Sequence, residues 1–258
     1  MSPNYIELAS FLVLFTVAAM VGYTLHKLRR IHLMQYTLLR EHEKTGKDAA
    51  GTYKQVESLI WLDRLLGLTH PLPPLRGWAG SPDFLLVLAE HVLAAQPKCV
   101  LECSSGASTI VVARCLQKIG TGHVYSLEHS AEYSGKTRAH LKRHGLEEWA
   151  TILEAPLESQ AAFNGARWYS LKQLATVKGQ VDMLVIDGPP QDTAPLARLP
   201  AVPALAHVMA PNCATFLDDS DRPDETAIVV KWLAQFPRLQ AEQMWCEKGC
   251  VKLSAKPV

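Results

Sequence analysis

The sequence lacks the charge imbalance that is typical of nucleic-acid-binding chains. Its 258 residues include 26 Lys and Arg against 25 Asp and Glu, which leaves a formal net charge of +1. It also lacks internal repeats and low-complexity tracts, and 48% of its residues are hydrophobic. This composition gives no signal for a nucleic-acid partner or for disorder. The length is typical of one medium-sized α/β domain with an extension.

Cysteine is scarce, and its placement does not predict a disulfide framework. The six cysteines are Cys99, Cys103, Cys115, Cys213, Cys246 and Cys250, most of them in apolar stretches. Cys246 and Cys250 flank Glu-Lys-Gly, but no further metal ligands accompany them at a suitable spacing. We therefore expect reduced cysteines that pack as small hydrophobic side chains.

The amino end lacks the basic leader of a cleaved signal peptide, because residues 1–5 contain no Lys or Arg. Residues 6–25 are apolar apart from Glu7, and about 20 helical residues cross the hydrocarbon of a bilayer. The basic cluster His26–Arg30 follows, and basic residues stay on the cytoplasmic side. We predict a single-pass anchor in the inner (cytoplasmic) membrane, with the remaining chain facing the cytoplasm. A signal peptide and a buried soluble helix are the alternatives.

The chain is predicted to divide into three parts. Residues 1–25 form the transmembrane anchor, residues 26–70 a helical stem and linker, and residues 71–258 the main domain. Lys and Arg outnumber Asp and Glu in the stem, which suits contact with anionic lipid or self-association into a homo-oligomer. The small polar segment Gly46–Thr52 predicts a break in the stem.

Strand and helix patterns alternate through the main domain. A helix is expected up to about Ala95, because Ser81 is suited to be its N-cap and Pro82 its first residue. Strands are then expected near residues 98–103, 122–128, 150–154, 181–187 and 213–218, and helices near 107–118, 131–143, 195–209 and 224–235. The continuously apolar strands indicate a parallel sheet covered on both faces. Two last strands, Leu239–Trp245 and Cys250–Ser254, predict a terminal antiparallel hairpin. The expected fold is therefore α/β, a doubly wound, mostly parallel sheet of seven strands.

The glycine-rich G-x-G-x-x-G motif of dinucleotide-binding domains is missing. In its place stands Val100–Thr109, VLECSSGAST, which keeps only Gly106 of the glycines. The next apolar run, Val124–Glu128, ends in an acid. A strand, a tight turn, a helix and a second strand tipped by a carboxylate form a crevice for a nucleoside, because turn amides and the helix N-terminus face the ligand. An ordinary strand-to-helix turn is the structural alternative.

The acids at these two strand ends favour one kind of cofactor. Glu102, at the end of the first strand, would repel a pyrophosphate but can accept hydrogen bonds from an ammonium group. S-adenosylmethionine carries an ammonium and a sulfonium and no phosphate, so the sequence favours it over a dinucleotide. Glu128 can accept hydrogen bonds from the two ribose hydroxyls. A nicotinamide-dependent oxidoreductase and a membrane scaffold with a degenerate pocket are the alternatives.

Two further strands end in aspartates. Val181–Asp187 is followed by Gly-Pro-Pro, which turns the chain away and leaves Asp187 facing the crevice. The next strand ends in Asp218 and Asp219. Carboxylates at neighbouring strand tips can hold a divalent cation, or one of them can serve as a general base. Alternatively, some of these acids have only the structural role of capping the following helix.

Six segments, in this order, resemble one known family: Trp78–Pro82, LECSSGAST, YSLEHS, EAPL, MLVIDGPP and FLDDSDRPDE. From about residue 71 to residue 254, the chain resembles a class I S-adenosylmethionine-dependent methyltransferase of the bacterial methyltransferase-24 group. The terminal hairpin agrees with the methyltransferase sheet rather than with the all-parallel nicotinamide fold. The sequence departs from the family at Ser104, where glycine is usual. Serine tolerates the turn if its φ angle is negative.

The resemblance implies transfer of a methyl group from S-adenosylmethionine to an oxygen or nitrogen of an acceptor, which is a small molecule, a lipid-linked compound or a glycan. The implied cofactor-binding residues are Glu102, Ser104, Gly106, Ser108, Glu128, His129, Ala155 and Asp187. Asp187 is the expected catalytic residue, with Asp219 second.

The resemblance extends to metal-dependent enzymes of the catechol O-methyltransferase type. In those enzymes Mg²⁺ is held by acids at two strand tips and by a neighbouring amide. Carried over to this sequence, the ligands would be Asp187, Asp219 and Ser220. Serine is a poorer magnesium ligand than an amide, and Asp218 or Asp221 could compensate for it.

Overall fold

The computed structural model describes residues 3–75, 77–160, 163 and 165–256, except for the side chains of residue 3 and residues 43–48. It comprises two compact units, one up to Tyr53 and the other from Lys54 onward. Each unit is described separately below.

Helix α1 extends from Pro3 to Leu66 without interruption. Its segment Asn4–His42 contains an 18-residue stretch with a mean hydropathy of 2.0, none of it buried, so this helix is long and apolar enough to cross a membrane. The predicted break at Gly46–Thr52 is wrong, because these residues are helical. A glycine costs only about 1 kcal/mol relative to alanine inside a helix, and no proline stands in this segment.

The second unit alternates strands and helices. Its strands are β1 (Cys99–Cys103), β2 (His123–Glu128), β3 (Ala150–Glu154), β4 (Leu157–Gln160), β5 (Ala166–Tyr169), β6 (Val181–Ile186), β7 (Met209–Asp218), β8 (Leu239–Met244) and β9 (Cys250–Ala255). Its further helices are α2 (Pro82–Ala95), α3 (Ala107–Ile119), α4 (Ala131–Arg143), α5 (Ala201–Leu205) and α6 (Pro223–Gln235), with 3₁₀ turns at Leu171–Thr176 and Gln191–Thr193.

Seven of these strands form one sheet in the order β3-β2-β1-β6-β7-β9-β8. The first five strands in this order pair in parallel. Strand β9, which lies between β7 and β8, is antiparallel to both. This topology confirms the predicted α/β sheet with its terminal hairpin. The strand order reverses between β1 and β6, and in such sheets ligands bind at this switch point, outside the carboxyl ends of the strands.

Successive residues of each central strand enter two different cores. Val100 of β1 packs with α2 and α3 on one face, whereas Leu101 packs with α5 and α6 on the other. In β6, Val185 likewise packs on the α2 and α3 face, and Ile186 packs on the α5 and α6 face. All five residues of β1 are buried. A sheet covered on both faces needs apolar side chains in both directions, which explains the continuous apolar runs of the sequence.

The predicted helix at residues 195–209 is wrong in its extent. Only α5 is helical there, and a turn precedes it in which Leu199 N–H donates to the Leu196 carbonyl at 2.9 Å. Leu196 has a φ angle of +51°, and Pro200 follows the turn. Proline has no N–H to donate and clashes with a preceding helical turn, so the chain cannot continue as one helix. The turn places Arg198 in the interior, where it is 3% exposed.

The hairpin of β4 and β5 is an addition that the sequence patterns do not predict. Its strands pair antiparallel, Leu157 opposite Tyr169, and form a separate two-stranded sheet. Trp168 and Tyr169 of β5 are both fully buried. The hairpin therefore contributes two large aromatic side chains to the core on the α5 and α6 face.

The start of α2 differs in detail from the predicted N-cap. The Ser81 hydroxyl donates to Asp83 Oδ1 at 2.6 Å and does not cap a backbone amide. Asp83 Oδ1 instead accepts from Phe84 N–H at 2.9 Å, and Asp83 Oδ2 accepts from Glu247 N–H at 2.7 Å. The buried carboxylate therefore joins the start of α2 to the turn between β8 and β9.

Candidate functional site

A cavity of about 480 Å³ lies at the carboxyl ends of β1, β2, β6 and β7. Its lining includes Ser104, Ser105, Gly106, Ser108, Glu128, His129, Asp187, Arg198 and Asp219. Helix α4 contributes Tyr133, Lys136, Thr137 and His140, and the opposite rim contributes Trp78, Arg222 and Lys248. A volume of this size is typical of pockets for small molecules and cofactors.

The turn after β1 has a strained residue at its first position. Ser104 has a φ angle of +102°, so the negative φ angle that would let serine tolerate this turn is not observed. Its N–H donates to the Leu127 carbonyl at 2.9 Å, and its Cβ lies 3.0 Å from the position that a Cβ on Gly188 would take. The ends of β1 and β6 are therefore closely packed at this residue. Left-handed backbone disfavours residues that carry a Cβ, so serine stands where glycine would be unstrained.

Glu102 lies buried beneath this turn and does not line the cavity. Its Oε2 accepts hydrogen bonds from the hydroxyls of Thr109 at 2.5 Å and Ser126 at 2.6 Å. Its Oε1 has no partner among the described residues. Burial raises the pKa of Glu102, and the hydroxyl donors, among them Ser108, only partly oppose the effect. A nearby cation would offset this desolvation, so the carboxylate is suited to a positively charged ligand group.

Glu128 is held in its charged form at the cavity wall. Its Oε2 accepts from both the N–H and the hydroxyl of Ser105, at 3.0 and 2.8 Å, and its Oε1 accepts from Ser130 N–H at 2.9 Å. Burial opposes ionisation, but the hydrogen bonds from His129, Ser130 and Ser105 outweigh it and lower the pKa of Glu128. An ionised carboxylate in this position can accept further hydrogen bonds from ligand hydroxyls.

The structure brings some of the other predicted cofactor residues to the cavity and leaves one outside it. Ser104, Gly106, Ser108 and His129 all line the cavity. Ala155 does not, because it is buried at the end of β3, where its N–H donates to the Glu128 carbonyl at 2.8 Å. Its expected place beside the nucleoside is therefore not observed.

Three aspartates converge at the ends of β6 and β7. Asp187, Asp218 and Asp219 each place a carboxylate oxygen within 4.8 Å of the others. Burial raises the pKa of Asp187 to about 7, against the opposing effect of Arg198 and with a further rise from Asp219. Burial also raises the pKa of Asp218 well above its usual range. Asp187 is thus the acid at the cavity whose protonation changes near neutral pH.

A guanidinium group occupies the centre of this acidic cluster. Arg198 Nη2 lies 2.9 Å from Asp219 Oδ2 and 3.6 Å from Asp187 Oδ1. Arg198 Nη1 donates to the Asp218 carbonyl at 2.8 Å, and Nη2 donates to the Asp187 carbonyl at 3.1 Å. Arg222 Nη1 also lies 2.9 Å from Asp219 Oδ2. Asp219 therefore already has two cationic partners from the chain itself, whereas Asp219 Oδ1 and both carboxylate oxygens of Asp218 are buried without a hydrogen-bond partner among the described residues.

The residues present do not fit the expected magnesium ion. Mg²⁺ takes oxygen ligands at about 2.0–2.1 Å in octahedral geometry, whereas Asp219 Oδ2 is shared by two guanidinium groups at 2.9 Å each. Ser220, the expected third ligand, does not line the cavity, and its hydroxyl accepts from Gln243 Nε2 at 3.2 Å. Among the described residues, the acids that lie close enough together to share an ion are Asp187, Asp218 and Asp219, so the expected set of Asp187, Asp219 and Ser220 is not the one that the structure brings together.

Several contributors to the site are absent from the sequence-based expectations. Ser105, Thr109 and Ser126 bind the two glutamates, and Arg198 binds the aspartates. The available signal for Arg198 is its position as the one charged residue in the apolar stretch Pro195–Leu205. The hydroxyl residues carry no comparable signal, because serine and threonine are ordinary in a strand-to-helix turn.

Comparisons with known proteins agree with this fold. Residues 101–220 match the family model of a methyltransferase domain, Methyltransf_24. No curated protein sequence gives a significant match. Among solved structures, the methyltransferase PaMTH1 of Podospora anserina, bound to SAH, has a TM-score of 0.57 and 15% identity, and the alignment covers 83% of this chain and 96% of that one.

Two further structures of similar fold are described as O-methyltransferases. The putative O-methyltransferase of Klebsiella pneumoniae has a TM-score of 0.53 and 23% identity over 81% of this chain and 97% of that one. The O-methyltransferase TomG of Streptomyces achromogenes, crystallised with SAM, has a TM-score of 0.52 and 17% identity over 79% and 89%. The second unit therefore has the class I methyltransferase fold, and its central region carries the sequence pattern of a methyltransferase domain.

Proposed function

We propose that the chain is an S-adenosylmethionine-dependent methyltransferase. The observation that carries the proposal is the pair of buried carboxylates at the first two strand ends, Glu102 and Glu128, on either side of the Ser104–Ser108 turn. A carboxylate under this turn disfavours a pyrophosphate and favours a ligand with an ammonium group. The SAH and SAM bound to structures of the same fold, PaMTH1 and TomG, support this choice.

The residues of the cavity fit this cofactor. Glu102 lies outside the lining, so its carboxylate, with Oε1 buried and without a partner among the described residues, would favour the ammonium group by its charge or through a bridging water. Glu128 would accept from the ribose hydroxyls, since its lowered pKa keeps it ionised. When bound, the cofactor supplies a methyl group on a positively charged sulfur, which is already activated for transfer.

The chain would then position the acceptor and remove its proton. Asp187 lines the cavity at the end of β6, and its pKa of about 7 suits a general base at neutral pH. Arg198 and Arg222 hold the neighbouring Asp219, and these contacts favour a supporting role for this second acid of the cavity over a catalytic one. In-line transfer requires near-attack geometry, and the cavity walls would supply it by holding both reactants.

We favour an oxygen atom as the acceptor of the methyl group. Klebsiella pneumoniae and Streptomyces achromogenes proteins of the same fold are described as O-methyltransferases. A hydroxyl needs its proton removed as the methyl group arrives, and a carboxylate base such as Asp187 serves that need. The acceptor would be a small molecule, a lipid-linked compound or a glycan.

Membrane attachment is part of the proposal. The apolar helix Asn4–His42, with its exposed 18-residue stretch of mean hydropathy 2.0, supports a single span through residues 6–25. The basic cluster at His26–Arg30 supports an orientation in which the second unit faces the cytoplasm. An anchored enzyme would meet acceptors that are themselves at the membrane.

The test uses the full chain purified in detergent. A thermal-shift series with S-adenosylmethionine, S-adenosylhomocysteine and NAD should raise the melting temperature with the first two only. Stabilisation by NAD alone would indicate an oxidoreductase, and stabilisation by none of the three would indicate a scaffold. Incubation with membrane extracts and cofactor carrying an isotopically labelled methyl group, followed by mass spectrometry, would then identify the acceptor and the methylated atom.

A further inference from the structure

Arg198 is a buried cation in the position where a metal ion would bind. Its side chain is 3% exposed and lies among four acids, Asp187, Asp218, Asp219 and Glu225. Direct contacts at 2.9 and 3.6 Å join it to Asp219 and Asp187, and Arg198 Nε lies 3.7 Å from Glu225 Oε1.

The guanidinium and a divalent ion cannot both occupy this cluster. The oxygens of Asp187, Asp218 and Asp219 that would bind the ion lie within 4.8 Å of one another, and Arg198 Nη2 already reaches two of these carboxylates. A third positive charge beside Arg198 and Arg222 would meet repulsion in a poorly hydrated interior. It would also need Asp219 to give up its hydrogen bond from Arg198, and Asp187 its contact at 3.6 Å with the same guanidinium.

The backbone around Arg198 keeps its side chain in place. The turn at residues 196–199 is closed by the Leu199 to Leu196 hydrogen bond, and Ala201 N–H donates to the Arg198 carbonyl at 3.1 Å. Leu196 N–H donates to Asp224 Oδ2 at 2.9 Å, which attaches the turn to the start of α6. Pro200 further restricts the segment. The cation is therefore preorganised before any ligand arrives.

We propose that Arg198 replaces the divalent ion, so that the cluster is metal-free in the working protein and takes up a divalent ion only when the guanidinium is removed. Arg198 acts as a positioning residue, because it orients Asp187 and Asp219 at the cavity. The positioning role rests on the proposed methyltransferase function, whereas the exclusion of metal by the guanidinium does not.

The test measures metal binding directly, with Mn²⁺ as the probe and the full chain in detergent. Electron paramagnetic resonance of added Mn²⁺ should show no stoichiometric site in the wild type. Arg198→Gln, which removes the charge and keeps a polar side chain, should bind Mn²⁺ at least about tenfold more tightly than the wild type, because it leaves buried carboxylates without their cation. Arg238→Ala changes an exposed arginine in the turn between α6 and β8, and this matched control should behave as the wild type.

Several outcomes decide the proposal. A stoichiometric Mn²⁺ site in the wild type overturns it, and this measurement needs no variant to fold. A folded Arg198→Gln protein, verified by circular dichroism, that gains no Mn²⁺ affinity also overturns it. If Arg198→Gln does not fold, Arg198→Lys keeps a cation and should exclude Mn²⁺ as the wild type does.

Activity provides a separate check. Methyl transfer by the wild type should be unchanged by a chelator, and loss of activity that Mg²⁺ restores would overturn the proposal. If no methyl transfer or cofactor binding is found at all, the proposed function fails, but the Mn²⁺ results still decide whether the guanidinium excludes the metal.

Discussion

Ser105 and Glu128 are joined by two hydrogen bonds to a single carboxylate oxygen. The Ser105 N–H and hydroxyl both donate to Glu128 Oε2, at 3.0 and 2.8 Å. This pair connects the turn after β1 to the end of β2, so the turn and the acid that we propose to bind the cofactor are held together directly. Glu128 Oε2 accepts both hydrogen bonds from the turn, whereas Oε1 accepts one from Ser130 N–H and can accept another from a ligand.

The first prediction concerns Glu128. Glu128→Gln should lower the affinity for S-adenosylmethionine at least about tenfold, because a charge-assisted acceptor for the ribose hydroxyls is replaced by a neutral amide. Isothermal titration calorimetry on the full chain measures the effect. Glu242→Gln, an exposed acid of β8, should leave the affinity unchanged. Equal affinities for wild type and Glu128→Gln would remove the ribose assignment.

The strained turn after β1 predicts a substitution that stabilises the protein. Ser104→Gly should stabilise the protein by about 1 kcal/mol, since glycine adopts the φ angle of +102° without the penalty that serine incurs. Ser104→Ala keeps the Cβ and should show no such gain. The free energy of unfolding of the second unit, followed by urea denaturation with near-UV circular dichroism, separates the two. A Ser104→Gly protein no more stable than Ser104→Ala would contradict the strain.

The contact of Ser104 with Gly188 leads to a third prediction. A Cβ on Gly188 would meet the Tyr169 hydroxyl, and it would lie 3.0 Å from Ser104 Cβ and 3.3 Å from the Cys103 carbonyl oxygen. Tyr169 is fully buried and cannot move aside freely. Gly188→Ala should therefore destabilise the protein by about 1–3 kcal/mol, as overpacking usually does.

The matched control for that variant is Gly135→Ala. Gly135 lies inside α4, and a Cβ there meets nothing within 4 Å. This change should stabilise the protein by up to about 1 kcal/mol through helix propensity. Chemical denaturation of both variants compares them, and a Gly188→Ala protein as stable as the wild type would show that the end of β6 is less tightly packed than described.

Asp187 gives a pH-dependent prediction. If Asp187 is the general base, turnover should rise as the pH increases through about 7, where its carboxyl loses its proton. Asp187→Asn should keep cofactor affinity and lower turnover by about 10²-fold or more. Because burial raises this pKa above its value in the unfolded chain, Asp187 costs stability as the pH rises from about 4 towards 7.

The same variant tests the stability effect. Asp187→Asn should therefore remove part of the decline in melting temperature over that pH range. A turnover profile without a rise near pH 7, together with full turnover of Asp187→Asn, would exclude Asp187 as the base. If Asp187→Asn removes part of the decline in melting temperature but keeps full turnover, Asp187 would instead be a structural acid.

The acids at the strand tips are predictable from the sequence for a simple physical reason. Strands buried on both faces are continuous apolar runs, so their ends are visible, and the carboxyl ends of parallel strands meet at one edge. Glu128, Asp187 and Asp219 reach the cavity as expected, and Glu102 lies directly beneath its floor. The antiparallel hairpin of β8 and β9 follows from two short strand patterns and a Gly-containing turn.

The partners of these acids are not predictable in the same way. Arg198 stands 21 residues before Asp219, in a segment whose pattern predicts a helix. Its contact depends on the proline-terminated turn that directs the side chain inward, and a helix would have directed it elsewhere. The positive φ of Ser104 likewise depends on how closely β6 packs against β1, which no local pattern specifies.

The last prediction concerns the membrane anchor. The full chain should remain in the membrane fraction after washing with high salt and alkaline carbonate, because a helix with about 20 apolar residues inserts into hydrocarbon and is not held by charge. Leu14→Arg places a charge near the middle of the predicted span, which costs about 3 kcal/mol, and should reduce the membrane-bound fraction. Gln35→Arg, on the same helix but beyond residues 6–25, should not.

In spheroplasts, the proposed orientation towards the cytoplasm predicts that added protease leaves the second unit intact. Release of the wild type by carbonate would contradict the span, and digestion of the second unit would contradict the orientation.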